Sequence, residues 1–344
     1  MPHNPTKPIK TALLAYGMSG KVFHAPFIHC NPNFDLYAVL ERNKNEAKKD
    51  YPHIISYANI QHLLADSQIQ LVIINTPNYT HFEFARQALY AGKHVLIEKP
   101  FCTNPSQAKQ LFALGKAQNL HVMAYQNRRF DSDFLTTKAV IQSGKLGKIT
   151  EAHVRFDRFK NTISPKKFKE TPLPAAGIFY DLGAHVIDQA IALFGPPQSF
   201  TKTYGQFRLH SQVDDFAHAH LHYTDSKNVF ITTNMLVLKP KAAFTIYGTH
   251  GTFTKTRADE QENQLIAGIS PTDKHYGIEK PNNEASLCYI NDTGQTITQS
   301  IPSPKGNYME LYNQVFLTIV HNKPYFISPN DILAQLEILV RNDI

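Results

Sequence analysis

Cysteine is scarce and odd in number. Cys30, Cys102 and Cys288 are the only three in 344 residues, and their spacing suits neither a disulfide framework nor a thiolate metal centre. Free thiols in a reducing compartment are expected, with the cytoplasm as the location. Long apolar runs are missing too. Met1 to Lys10 carry prolines and lysines, and the apolar stretch that follows is broken by Gly17, Ser19 and Gly20, so neither a signal peptide nor a membrane span is expected. Charged residues make up 18% and hydrophobic ones 42%, the balance of a globular rather than a disordered chain, and the length suffices for two domains with ordinary cores. The formal net charge of +7 is dispersed, with Lys44, Lys48 and Lys49 on one segment and Lys166, Lys167 and Lys169 on another. No basic stripe interleaved with aromatics appears, which argues against a nucleic-acid partner. A modest positive field would equally suit an anionic cofactor.

What is present is an alternation of short apolar runs and helical patterns through residue 125. His94-Val95-Leu96-Ile97 stops abruptly at Glu98-Lys99-Pro100, as a buried strand does when it delivers its carboxyl end to a ligand site. The plainer reading is a strand-terminal ion pair in water. Upstream, Thr11 to Tyr16 leads into Gly17, Met18, Ser19 and Gly20 and then a helical pattern from Val22. Ala15-x-Gly17-x-x-Gly20 thus matches a dinucleotide fingerprint whose first glycine is alanine; the second glycine admits a pyrophosphate and the third lets helix and strand approach. A second strand, Asp35 to Leu40, ends at Glu41, 21 residues after Gly20, near the offset expected for the acid that binds the adenosine ribose. Arg42 follows and could instead meet a 2′-phosphate, so NAD and NADP both stand. Gln70 to Asn75 is a third clear strand, followed by Thr76-Pro77-Asn78 and a helix from about Tyr79 to Ala91 capped by Asn78. Thr76, Pro77, Asn78 and His81 would line the nicotinamide side of a cofactor groove, while also reading as a capped surface helix. With a helix from about Pro105 to Gln118 and a strand from His121 to Tyr125, about six strands in doubly wound order are predicted, a Rossmann-type domain.

Beyond residue 125 several segments alternate apolar and polar residues: Thr150 to Phe159, Gln198 to Leu209, Phe216 to Tyr223, Asn228 to Leu238 and Ala243 to Gly248. They predict an antiparallel sheet with one face on helices and the other available to a partner. Asp157 and Arg158 read as an exposed strand pair, with contact to substrate hydroxyls as the alternative. His218, His220 and His222 share a face, yet no carboxylate or cysteine accompanies them, so no metal is expected. Gly177 to Phe194 has helical periodicity ended by Gly195-Pro196. Its Asp181, His185 and Asp188 stand at i, i+4 and i+7 on one face, which on so apolar a helix is expected to line a cleft rather than open water. Asp259 to Lys280 reads as irregular, and helices from about Met309 to His321 and Pro329 to Val340 are expected to pack back on the first domain.

Taken together, Gly17-x-x-Gly20 with Phe23-His24-Ala25-Pro26, Thr76-Pro77-Asn78 with His81, Glu98-Lys99-Pro100, Asn127-Arg128-Arg129-Phe130-Asp131, Gly177-x-x-Tyr180-Asp181-Leu182-Gly183-x-His185 and Gly306-Asn307-Tyr308 resemble the glucose-fructose oxidoreductase, inositol dehydrogenase and MocA family. The likeness spans nearly the whole chain and is nearest to the NADP-dependent scyllo-inositol dehydrogenases. It implies a Rossmann dinucleotide-binding domain over 1–125, a substrate-binding and oligomerising α/β domain with a large, mostly antiparallel sheet over 126–344, and a site between them. It also implies a cis Lys99-Pro100 bond and catalysis by Lys99, Asp181 and His185. Chemistry agrees: His185 takes the hydroxyl proton, Asp181 orients it, and Lys99 stabilises the oxygen, with the roles of Lys99 and His185 interchangeable. Ala15, Gly17, Ser19, Gly20, Glu41, Arg42, Thr76, Pro77, Asn78, His81, Glu98 and Lys99 are then expected on the cofactor. Asn127, Arg128, Asp157, Tyr180, Asp181 and His185 are expected on the substrate. Departures from the family pattern are Ala15, the acid Glu41, and Gln126-Asn127 in place of histidine-asparagine. The expectation is a homodimeric or homotetrameric NAD(P)-dependent dehydrogenase of a cyclic polyol or sugar, leaning to NADP. A cofactor-binding sensor without turnover is the alternative.

Overall fold

A computed structural model describes residues 7–42, 45–164 and 170–340; Lys44, Lys166, Lys167 and Lys169 of the two basic segments lie outside them. Near-continuous apolar runs build the first sheet because both of its faces are covered. Its strands are β1 (Ile9–Leu13), β2 (Phe34–Leu40), β3 (Ile55–Tyr57), β4 (Leu71–Ile74), β5 (His94–Ile97) and β6 (Val122–Ala124). All pair in parallel, in the order β3-β2-β1-β4-β5-β6. The order reverses between β1 and β4, and ligands of such sheets bind at the carboxyl ends flanking that reversal. Here Asn75, one residue past β4, reaches across to the turn after β1. Its Oδ1 accepts the Ala15 N–H at 3.0 Å and its Nδ2 donates to the Ala15 carbonyl at 2.8 Å.

Gly20 explains why the turn is tight. A Cβ there would stand 2.1 Å from the Ala15 carbonyl oxygen, whereas one on Gly17 would meet nothing within 4 Å. The following turn, Ser19–His24, is π-helical rather than α-helical, and an α-helix starts only at Ala25. At its end the Phe23 carbonyl accepts the hydroxyls of Tyr125 (2.9 Å) and Tyr312 (2.8 Å).

The chain divides into two compact units. One comprises 1–126 with 262–276 and 308–329, the other 127–261 with 277–307 and 330–344. The helix Met309–His321 lies in the first, stacking Tyr312 on Phe27 at 5.4 Å. The last helix, Pro329–Leu339, falls almost entirely in the second unit. Its buried Gln335 donates to the Ala184 carbonyl and its Ile338 carbonyl accepts from Lys202 at 2.9 Å, both within the second unit.

The second unit carries eight strands: β7 (Ile149–Asp157), β8 (Ser199–Gly205), β9 (Phe216–His222), β10 (Asn228–Asn234), β11 (Phe244–Gly248), β12 (Gly251–Lys255), β13 (Ala285–Ile290) and β14 (Thr296–Ile301). Their order is β14-β13-β12-β11-β7-β10-β9-β8, antiparallel except for the β7–β10 pair. Alternation along β7 buries Ala152, Val154 and Phe156 and leaves Glu151, His153, Arg155 and Asp157 on the more open face. On that face His153, His218 and His220 stack around Phe230 at 4.3–6.0 Å between ring centres. Among the described residues no group of histidines, cysteines and carboxylates is arranged to hold a metal, and no helix is long and apolar enough to cross a membrane.

The two glycines of the first turn are expected to respond differently. Gly20→Ala should lower stability by about 1–3 kcal/mol, since a backbone oxygen cannot yield as a side chain does. Gly17→Ala should stay within roughly 0.5 kcal/mol. Urea titrations followed by circular dichroism measure both, and equal losses would contradict the packing account.

Candidate active site

The first unit gathers its candidates along the carboxyl edge of the parallel sheet. Glu98, just past β5, is the hub. Its Oε1 accepts the Ser19 hydroxyl at 2.7 Å and lies 3.1 Å from His24 Nε2, and its Oε2 accepts the main-chain N–H of Lys99 at 3.0 Å. Burial alone would push this carboxyl up; the hydrogen bond and charge of His24, the Ser19 hydroxyl and Lys99 outweigh it and hold it below the usual range. The Lys99-Pro100 bond is cis, as the family likeness implies. Thr76 Oγ1 lies 2.6 Å from Thr80 Oγ1, and Thr80 Oγ1 donates to the Pro77 carbonyl at 2.6 Å. Residues Asn78–Thr80 form a 3₁₀ turn and the helix begins at His81. Asn78 therefore opens that turn, and the N-cap position of the α-helix is Thr80.

His81 does not line a groove. It is fully buried, with Nδ1 2.9 Å from the Pro100 carbonyl and Nε2 2.9 Å from the Thr76 carbonyl. Burial holds its pKa below the usual value against the pull of those carbonyls. The ring is thus a spacer fixing the Thr76 loop to the Lys99-Pro100 turn. Glu41 is likewise occupied, accepting the main-chain N–H groups of Glu46 and Ala47, each at 3.1 Å. Its carboxylate caps the short helix Glu46–Asp50, while Arg42 beside it is exposed.

In the second unit the predicted single helix is a composite. A π-helical turn, Phe179–Gly183, carries Tyr180 and Asp181, and the α-helix Ala184–Phe194 carries His185. The change of helix type re-aims Asp181 relative to a uniform spacing, a device common at functional sites. The α-helix is buried from Ala184 to Ile191 and ends at Gly195 with φ 78°. Asp188 leaves the expected polar stripe: it forms a buried, two-pronged pair with Arg129 at 2.8 and 2.9 Å, which is why an acid is tolerated on so apolar a face. Asp157 does not pair with Arg158. Arg155, two residues back on the same strand face, holds it at 3.1 Å through both oxygens, leaving its side chain 2% exposed. The pair lines a cavity of about 290 Å³ with Phe156, Arg158, Lys241 and Arg257.

Asn127 is buried at the start of a 3₁₀ turn, Asn127–Phe130. Arg128 donates to Asp131 at 3.1 Å and lies over the Phe156 ring at 5.1 Å, which Arg257 also covers at 4.3 Å. Three acids sit here, Asp131 and Asp133 fully buried and Asp259 half-buried. Asp259 accepts the Ser132 N–H at 2.8 Å and Asp133 accepts the Ala258 N–H at 3.0 Å, a reciprocal cap between two distant segments. Burial, then Asp259 and Asp133, push Asp131 well up against the pull of Arg128 and Arg257. Burial and Asp133 push Asp259 up to about 6. Sequence reasoning missed Asn75, Tyr125, Tyr312 and the roles of His24, Asp133 and Asp259; of these only His24 fell within a motif.

Comparison with known proteins adds an independent line. A family model described as "Oxidoreductase family, NAD-binding Rossmann fold" matches residues 9–126, and one described as "GFO/IDH/MocA C-terminal domain" matches residues 134–254. An uncharacterized oxidoreductase of Schizosaccharomyces pombe is 36% identical, covering 96% of this chain and 95% of its own. The scyllo-inositol 2-dehydrogenase (NADP(+)) IolW of Bacillus subtilis is 31% identical over 89% of this chain and 85% of its own. The crystal structure of an oxidoreductase from Bacillus cereus superposes with a TM-score of 0.90 at 35% identity, covering 96% of this chain and 94% of that one.

The raised Asp259 sets a pH test. Its folded pKa exceeds the unfolded value of about 4, so its favourable contribution is complete below that pH and is lost as pH rises through about 6. The stability of the wild type relative to Asp259→Asn should therefore fall between pH 4 and 6. Urea midpoints for both proteins across that window read it, and a constant difference would refute the assignment.

Proposed function

Because the chain belongs to the Gfo/Idh/MocA family of NAD(P)-binding oxidoreductases, we propose that this dehydrogenase acts on the secondary alcohol, or the matching ketone, of an inositol-like cyclic polyol or sugar. The observation that carries the reading is the pairing of two sets in one chain: Glu98-Lys99-cis-Pro100 at the end of β5, and Asp181 with His185 across a π-to-α junction. Similarity to a scyllo-inositol dehydrogenase supports the substrate class.

The residues present suit a dinucleotide. The space beside Gly17 admits a pyrophosphate, while Gly20 keeps the turn close to β1. Ala15 and Ser19 complete that turn, and Thr76, Pro77 and Asn78 border the same sheet edge. When bound, the nicotinamide supplies the hydride acceptor or donor. In the oxidative direction His185 takes the hydroxyl proton, Asp181 orients its ring, and the Lys99 ammonium stabilises negative charge on the oxygen as the carbon loses hydride. Asn127, Arg128 and Tyr180 are the substrate-facing candidates. A screen of inositols, aldoses and their keto forms, read by absorbance of the reduced cofactor, tests the class; no turnover of any cyclic polyol or sugar would reject it.

Lys99→Ala and His185→Ala should each lower kcat by about 10²–10⁴-fold while binding of the reduced cofactor, followed by its fluorescence, stays near wild type. Wild-type rates in either variant would remove that residue from the chemistry.

The engaged Glu41 bears on the choice of cofactor. Its two oxygens already receive main-chain N–H groups, which favours Arg42 as the group that decides. A charge-assisted contact from Arg42 to a 2′-phosphate, worth roughly 1.5–3 kcal/mol, gives NADP an advantage of about tenfold or more. Arg42→Ala should erase that preference and leave the NAD-dependent kcat/KM unchanged. A wild-type preference for NAD that survives the substitution would show that Glu41 decides.

A further inference from the structure

His24 is completely buried, and none of the chemistry above uses it. Nevertheless it connects that chemistry to a segment nearly three hundred residues away. Its Nε2 stands 3.1 Å from Glu98 Oε1, and its Nδ1 stands 2.8 Å from the Tyr312 hydroxyl. The Tyr312 proton is given to the Phe23 carbonyl at 2.8 Å, and a carboxylate has no proton to give. Nε2 is accordingly the donor to Glu98. The ring also lies on Tyr125 at 4.5 Å, and Tyr125 donates to the same Phe23 carbonyl. Glu98 is thereby held at three points: Ser19 and His24 on one oxygen, the Lys99 N–H on the other.

We propose that His24, seated by Tyr312, is a positioning residue: it fixes Glu98 so that one carboxylate oxygen sets the Lys99 backbone and the other sets Ser19 in the glycine-rich turn. The proposal rests on the reading of Lys99 as part of the chemistry. Without the His24 donor, Oε1 retains only the Ser19 hydroxyl, the carboxylate can rotate, and the Lys99 N–H loses its fixed acceptor. Displacements of about 1 Å at such a group cost up to about a hundredfold in rate, so the effect belongs in kcat more than in KM.

Three variants test this, each first shown folded by near-ultraviolet circular dichroism. His24→Phe keeps a ring against Tyr125 and removes both ring nitrogens; kcat should fall about 10- to 100-fold, KM for the alcohol should change less than about threefold, and affinity for NADPH, read by its own fluorescence, should weaken. His24→Gln returns a donor near the Nε2 position and should recover most of the lost kcat. Tyr312→Phe removes one hydroxyl, is the variant best able to fold, and should lose about three- to tenfold in kcat. Wild-type kcat in folded His24→Phe or Tyr312→Phe would overturn the proposal, as would equal losses in the Phe and Gln variants of His24, which mark a purely structural role. Lys99→Ala separates the two levels. If it is inactive while folded His24→Phe is fully active, positioning fails alone; if it keeps wild-type activity, the functional reading fails first.

Discussion

A carboxylate placed where water is nearly excluded must find donors, and Glu98 finds three of them, two from the turn Ser19–His24 and one from the main chain of Lys99. That requirement ties the glycine-rich turn, the buried His24 and the Lys99-Pro100 turn to one point. The neighbouring constraint is similar in kind: His81, buried between two carbonyls, spaces the Thr76 loop from the Pro100 turn. Polar groups with little solvent compensation are costly to misplace, so the loops that border the sheet edge inherit a definite geometry from groups that do not face the ligand themselves.

The second unit solves the same problem with charge. Asp188 is neutralised by Arg129, Asp157 by Arg155, and Asp131 is shared between Arg128 and Arg257. Replacing one partner in such pairs leaves a buried charge uncompensated, which is far more damaging than the pair is stabilising. The positions of Arg128 and of the helix bearing His185 therefore depend on acids whose partners the sequence does not show.

Much of the architecture was legible. The strands of the parallel sheet stand out because burial on both faces forces continuous apolar runs such as Leu71–Ile74, and Gly20 was read correctly as a close-approach glycine. β12, β13 and β14 were missed, since Thr296–Ile301 is half exposed throughout and carries little apolar signal. The site was legible as motifs and opaque as contacts. Glu98 and Lys99 announce themselves by ending an apolar strand, but nothing local reports that His24 meets Tyr312. That partner is set by tertiary closure, and no window of neighbouring residues reveals the π-helical turns at Ser19 and Phe179.

The nucleotide-binding unit is also discontinuous in the chain. Tyr276, Tyr308 and Tyr312, which pack on Phe27, arrive only after most of the second sheet has been made. During synthesis the first 126 residues must wait, with Phe27 and His24 lacking their partners, until the last tenth of the chain appears. Such a unit is not a cassette that recombination can lift out at a single junction; lineages that exchange it must carry two separate inserts together, and insertions in the second unit are filtered by whether the returning helix still reaches its place.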